Sequence, residues 1–198
     1  KSSKLGLEFE RTKKGNVIIS FPGKVTGYIV GLSAHVDTLG LMVRSINSDG
    51  TLKVTTIGGN QPNSLIGDYC TIYAGGDKTY TGTILTTSYS THVFDDVMEK
   101  GGKFDDLIIR IDEVVKTEKD ILALGIRNGD FVAIDPKTTV TKNGFIKSRH
   151  LDDKISVAII FTVFKMFIDN GLVPDNTVKF IISTYEEVGH GASYIPGD

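Results

Sequence analysis

The chain has 198 residues, 40% of them hydrophobic and 23% charged, enough to bury a core and near the border between one domain and two. A formal net charge of -2 leaves no basic surplus, so nucleic acid and a membrane surface find no electrostatic support as partners and a small molecule or peptide is expected instead. The single cysteine, Cys70, excludes an internal disulfide; it reads as a buried strand residue and fits a reducing cytoplasm.

The N-terminal stretch KSSKLGLEFERTKKG has neither an initiator Met nor the apolar centre of a signal peptide, so the chain is expected to start inside a longer protein. Strands are expected at NVIISF and at YIVGLSA, Tyr28 to Ala34. Alternating runs follow at LMVRSI, TLKVTTI, YCTIYA, YTGTIL, DLIIRI and DFVAID, punctuated by Gly, Asn, Asp and Pro. Before the last of these, KTEKDILALG, Lys116 to Gly125, has a helical pattern with glycine placed as a C-cap. A second helix is expected over Leu151 to Gly171, stopped by Asn170, Gly171 and Pro174. Being apolar nearly all round, it is expected to be buried on more than one side. Its most apolar part, Ile155 to Ile168, carries Lys165 and falls short of the roughly 20 residues that span a bilayer. VKFIIST is the final strand.

Strand character changes along the chain. YIVGLSA and VKFIIST are continuous apolar runs, as in a parallel sheet covered on both faces, whereas the middle alternates between tight turns such as SDG and GGD, as in an antiparallel barrel. An α/β domain over residues 1–42 and 144–198, interrupted by a β-barrel over residues 43–143, is the expected organisation.

Three short clusters carry the chemistry. His35 and Asp37 in SAHVDTLG follow the strand that ends at Ala34; Asp152 and Asp153 in SRHLDDK open the buried helix; Glu186 and Glu187 in TYEEVG follow the last strand. Ligands of open α/β sheets bind outside the carboxyl ends of strands, so one crevice can collect all three. Imidazole with several carboxylates and no cysteine suits Zn, Co or Mn, and such ligands recur in two-metal hydrolases. His35 and Asp37 share a face if extended, and a carboxylate beside a ligating imidazole fixes its tautomer. Adjacent glutamates in an extended segment point to opposite sides, so one can bind metal while the other takes a proton from water. Each cluster alone has a plainer reading, a surface pair, a helix N-cap or a solvated face; their order against buried strands is what favours a site.

The stretches SAHVDTLGLMV, DGTLKVTTIGG, LGIRNGDFVAID, KSRHLDDKISVA and YEEVGHGAS together resemble the dinuclear metallo-aminopeptidases of the glutamyl-aminopeptidase and TET type, which are co-catalytic zinc exopeptidases. The resemblance covers nearly the whole chain. It implies an α/β/α sandwich of the zinc-exopeptidase type with an inserted antiparallel β-barrel that helps assemble homo-oligomers. It further implies two divalent metal ions, Zn or Co with Mn as a third choice, and peptide hydrolysis at the N-terminus of the substrate. Matched by motif, His35 binds one metal, Asp152 bridges both and Glu187 binds the other; Asp37 orients His35 and Glu186 is the general base. A cis peptide between Asp152 and Asp153 is also implied.

The family pattern continues beyond Asp198 through a further metal-binding aspartate and a late histidine, so the chain reads as truncated. The competing reading is therefore a non-catalytic binding or assembly module with a vestigial metal crevice. A deacylase on the same scaffold is a third reading, which the barrel motifs fit less well. His92 reads as a structural or inter-subunit contact, His150 and His190 read as loop residues, and Arg149 and Lys154 as charges that offset the carboxylates.

Overall fold

A computed structural model describes residues 7–191. The expectation drawn from Lys1 to Gly6 and the end of the last motif, Ala192 and Ser193, lie outside the described residues. In chain order the elements are β1 (Glu8–Arg11), β2 (Val17–Phe21), β3 (Val25–His35), β4 (Gly40–Ile46), β5 (Leu52–Ile57), β6 (Tyr69–Ala74) and β7 (Lys78–Thr86). They continue as β8 (Leu107–Ile111), helix α1 (Glu118–Leu124), β9 (Phe131–Ile134), β10 (Thr139–Val140), β11 (Ile146–Lys147), helix α2 (Lys154–Asp169) and β12 (Asn176–Ser183).

The chain divides into two compact units, Lys1–Thr38 with His150–Asp198, and Leu39–Arg149. The sequence places the limits of the barrel at 43 and 143; the unit extends beyond both for identifiable reasons. Leu41 and Met42 already pair with β9, and the β10–β11 hairpin is tied in because Lys137 and Arg149 both pair with the buried carboxylate of Asp68.

The first unit is a sheet in the order β1-β2-β12-β3, with β12 and β3 parallel and the other pairs antiparallel. Continuous apolar runs make its central strands. Ile19 and Phe180 are fully buried, and α2 covers them with a cluster of rings: Phe164 stacks on Phe21 at 5.4 Å, and Phe161 meets Phe180 edge-on at 5.7 Å. Only Phe164 of α2 is fully buried, whereas Ile159 and Met166 are 56% exposed. The expected burial of this helix on several sides is thus not met among the described residues, because the sheet lies against one face of it.

The second unit is a closed barrel in the order β4-β5-β8-β7-β6-β9, all neighbours antiparallel. Period-two alternation sends Leu41, Leu52, Val54, Ile72, Ile84, Ile109 and Val132 inward, each 2% exposed or less. Burial of each such side chain stabilises by about 1.5–3 kcal/mol. Helix α1 adds Ile121 to the same core. It starts at a reciprocal capping box, Thr117 with Asp120, and stops at Gly125, whose φ of 97° needs the freedom of glycine.

Candidate active site

The parallel register of β3 and β12 sets Ser183 beside His35, so the two strands end together and release their following residues into one place. Strand ends of this kind leave a crevice. His35 closes β3, Asp37 follows, and Glu186 and Glu187 follow β12. The start of α2 adds Asp152 and Asp153. His35 Nε2 lies 3.0 Å from Asp152 Oδ1, and the His35 backbone N–H donates to Asp153 Oδ2 at 3.3 Å. The Asp152–Asp153 peptide is cis, as the resemblance implies. Asp153 occupies the N-cap position of α2 without capping it, its carboxylate being turned to His35 instead. A cavity of about 500 Å³ lined by His35, Asp153, Ser183, Glu186 and His190 lies at this point.

The His35 ring is held from both sides. Nδ1 donates to the Asp37 carbonyl oxygen at 3.2 Å, which leaves Nε2 facing Asp152 and, at 3.5 Å, Glu186 Oε2. Asp37 therefore orients the ring mainly through its main chain, since its carboxylate stands 3.5 Å from Nδ1. That carboxylate does two other things: Oδ2 accepts the Glu187 backbone N–H at 3.0 Å, and Oδ1 is buried without a hydrogen-bond partner.

The electrostatics follow from crowding. Burial pulls the His35 pKa down, but the bond to the Asp37 carbonyl, the Asp152 carboxylate and the charges of Asp37 and Glu186 outweigh it, and the pKa is raised. Desolvation raises the Glu187 carboxyl; the His35 charge opposes this, and the like charges of Asp152, Glu186 and Asp37 add to it. Lys154 is lowered, chiefly by desolvation, against the pull of Asp37, Glu187 and Asp152. Arg149 does not share this work, because its guanidinium is engaged by Asp68 and the Ser64 carbonyl. The result is a hollow with more carboxylates than cations.

The glutamates do not sit in extended chain. Tyr185 holds φ 66° and ψ 21°, a left-handed conformation rare for a bulky residue, and Glu186–Val188 make a single 3-10 turn. The two acids differ because of that turn: the Glu186 carboxylate reaches towards His35, while the main chain of Glu187 is fastened to Asp37. Gly191 closes the loop against Glu186, where a Cβ would come within 2.7 Å of Glu186 Cβ.

Of the five residues singled out from the sequence, His35 and Glu186 line the cavity, Asp152 meets the His35 ring, and Asp37 joins His35 to the backbone of Glu187. The buried residue that sequence reading missed is Asn16, which bonds both Thr184 and Gly191. GNV before a strand signals a turn, and nothing local signals a partner so distant in the chain. His92 is exposed on a loop of the barrel unit, and His150 is half-buried directly before Leu151.

A divalent ion fits the chemistry of the donor set: an imidazole, surplus carboxylates, no thiolate, and the unpartnered Asp37 Oδ1. Among the described residues, however, no three His, Cys, Asp or Glu donors converge tightly enough to enclose an ion by themselves.

This fold, with its acid-rich crevice at the joined strand ends, is one shared with aminopeptidases of the TET type. The chain belongs to the M42 glutamyl aminopeptidase family, whose pattern matches residues 15–197. It is 44% identical over 187 residues to YhfE of Bacillus subtilis (strain 168), covering 94% of this chain and 54% of that relative. It is 26% identical over 182 residues to the lysyl aminopeptidase of Pyrococcus furiosus, covering 92% and 50%. The crystal structure of a TET aminopeptidase from Thaumarchaeota archaeon SCGC AB-539-E09 superimposes with a TM-score of 0.79 at 25% identity, over 92% of this chain and 50% of that one. The chain thus spans about half the length of the relatives it matches.

Proposed function

We propose that the chain carries the water-activating centre of a metal-dependent aminopeptidase, a hydrolase that removes N-terminal residues from peptides. The observation that carries this reading is the His35 imidazole at the joined ends of two parallel strands, with Asp152 at 3.0 Å and Glu186 at 3.5 Å. Family membership supports a peptide as the substrate class.

His35, Asp152 and Glu187 would hold divalent ions of the Zn, Co or Mn kind, two of them as the resemblance implies. Bound there, such ions polarise a carbonyl and lower the pKa of water. Asp37 keeps the His35 ring in one tautomer through its carbonyl and fixes the Glu187 backbone through its carboxylate. Glu186 takes the proton of the attacking water and delivers it to the leaving amine, a role supported by its place on the cavity wall.

The barrel is read as the surface through which copies of the protein associate. Its outer face exposes Tyr69, Tyr73 and Phe131, with Tyr73 paired directly opposite Phe131. A buried lone thiol is compatible with a cytoplasmic site of action. Among the described residues no helix is long and apolar enough to cross a membrane.

The test uses aminoacyl p-nitroanilides, with and without added Zn or Co, on the native protein. Glu186→Gln loses turnover yet still takes up metal; retained turnover removes Glu186 as the base. Glu187→Ala weakens metal uptake in equilibrium dialysis, and an unchanged stoichiometry and affinity removes it as a ligand.

A further inference from the structure

We infer that Asn16 is a positioning residue for the two glutamates, an inference that rests on the reading of Glu186 as the base. Asn16 stands in the turn between β1 and β2, far in sequence from the loop it serves, and is fully buried at 0% exposure. Its carboxamide is used at both ends. Oδ1 accepts the Thr184 backbone N–H at 3.1 Å and the Thr184 hydroxyl at 3.2 Å, while Nδ2 donates to the Gly191 carbonyl at 3.3 Å. Thr184 and Gly191 bracket the segment that carries Glu186 and Glu187. One side chain therefore joins the entry of that loop to its exit.

Asn16 is itself fixed. Its backbone N–H donates to Thr12 Oγ1 at 3.1 Å, and its carbonyl accepts the Thr12 N–H at 2.9 Å. Gly15 completes the turn at φ 103°, which glycine alone enters freely. Within the loop, Gly189 N–H donates to the Glu186 carbonyl at 2.8 Å and His190 N–H to the Tyr185 carbonyl at 2.9 Å.

The lever runs through Gly191. Its α-carbon packs so closely on Glu186 that a Cβ would fall 2.7 Å from Glu186 Cβ and 2.8 Å from Cγ. Wherever Asn16 holds the Gly191 carbonyl, the stem of Glu186 rests, and the carboxylate is thereby set 3.5 Å from His35 Nε2. The carboxamide is the side chain that meets this need, since it offers an acceptor and a donor on one planar group; a carboxylate lacks the donor and an alkyl chain lacks both.

The test compares Asn16→Ala and Asn16→Asp with the wild type in the metal-loaded native protein, at a temperature where circular dichroism reports all of them folded. The expected result is a fall in kcat of roughly 10- to 100-fold, the cost of misplacing a reacting group by about an ångström. KM is expected to stay within about threefold, a split that a residue supporting only the fold does not produce. Wild-type kcat in either folded variant overturns the inference. If neither variant folds, hydrogen exchange in the wild type decides: the Thr184 amide is expected to be protected, and exchange at the rate of a free amide overturns the bond on which everything depends. If the wild type turns over no aminoacyl p-nitroanilide with Zn or Co, the aminopeptidase reading fails by itself. In that case faster exchange across residues 184–191 in Asn16→Ala still upholds the hold of Asn16 on the loop, and unaltered exchange refutes it.

Discussion

The barrel and the four-stranded sheet bury apolar side chains in contrasting ways. In the barrel each strand has a neighbour on both sides, and inward residues such as Leu41, Leu52, Ile72 and Ile109 are wholly buried. In the sheet unit, among the described residues, β3 has β12 alone for a neighbour, and α2 leaves Ile159 and Met166 largely exposed. Antiparallel closure sends adjacent strand ends to opposite rims, so no two neighbours of the barrel finish at one point. The parallel pair β3 and β12 does finish at one point, and there the chain places His35, Asp37 and the two glutamates. A closed core and a shared strand end are thus found in separate parts of this chain, and the candidate site follows the strand end.

That contrast can be broken most forcefully at Glu186. Glu186→Gln is expected to lower turnover by about 10²- to 10⁴-fold while the urea midpoint of unfolding stays at the wild-type value; a large shift in midpoint would make Glu186 part of the scaffold. Next in size, Phe164→Ala is expected to cost about 3–5 kcal/mol in urea unfolding, because the ring is the buried centre of the aromatic cluster. Ile109→Ala in the barrel is expected to cost about 2–5 kcal/mol, and a cost below 1 kcal/mol would mean that the barrel core relaxes to fill the space.

Ile159→Ala sharpens the comparison from the other side. At its exposure the change is expected to stay within about 0.5 kcal/mol, and a larger loss would mean that this face of α2 is covered in solution. The smallest effect is expected at Cys70, whose thiol is pushed up to about 12 by desolvation and, secondarily, by the charge of Asp112. A raised acid pKa means that the folded chain keeps a proton the unfolded chain gives up. The contribution of this thiol to stability is therefore full below about 9.0 and is lost as pH climbs towards about 12. A disulfide reagent at pH 8 is expected to leave Cys70 unlabelled until urea is added, and rapid labelling of the folded chain would place the thiol outside the core.

Strands that alternate or run apolar were legible in the sequence, and β2 to β9 and β12 lie where those runs are. β1, β10 and β11 were not, because they are exposed on both faces and carry no burial period to read. The HxD, Asp-Asp and Glu-Glu pairs were legible through their order against buried strands. The 3-10 turn was not: a left-handed Tyr185 contradicts its own local preference, and its neighbours Thr184 and Glu187 are bonded to the distant Asn16 and Asp37. Asn16 belongs to the same class, since its role depends on Thr184 and Gly191 at the far end of the chain. The several-sided burial expected of α2 failed for a simpler reason, because composition records how apolar a surface is and not what lies against it.

The length of β3 carries a last consequence. Val25–His35 is one edge of the sheet as described, and apart from the His35 N–H, which Asp153 takes, its outward amide and carbonyl groups form a row beside Tyr28, Ile29 and Val30, all solvent-facing. Such a row is a template for any extended polypeptide that meets it, including another molecule of the same kind. Solutions of the isolated chain should therefore thicken into β-rich aggregate as they are concentrated, and a proline placed along this strand would be the gentlest way to keep them clear.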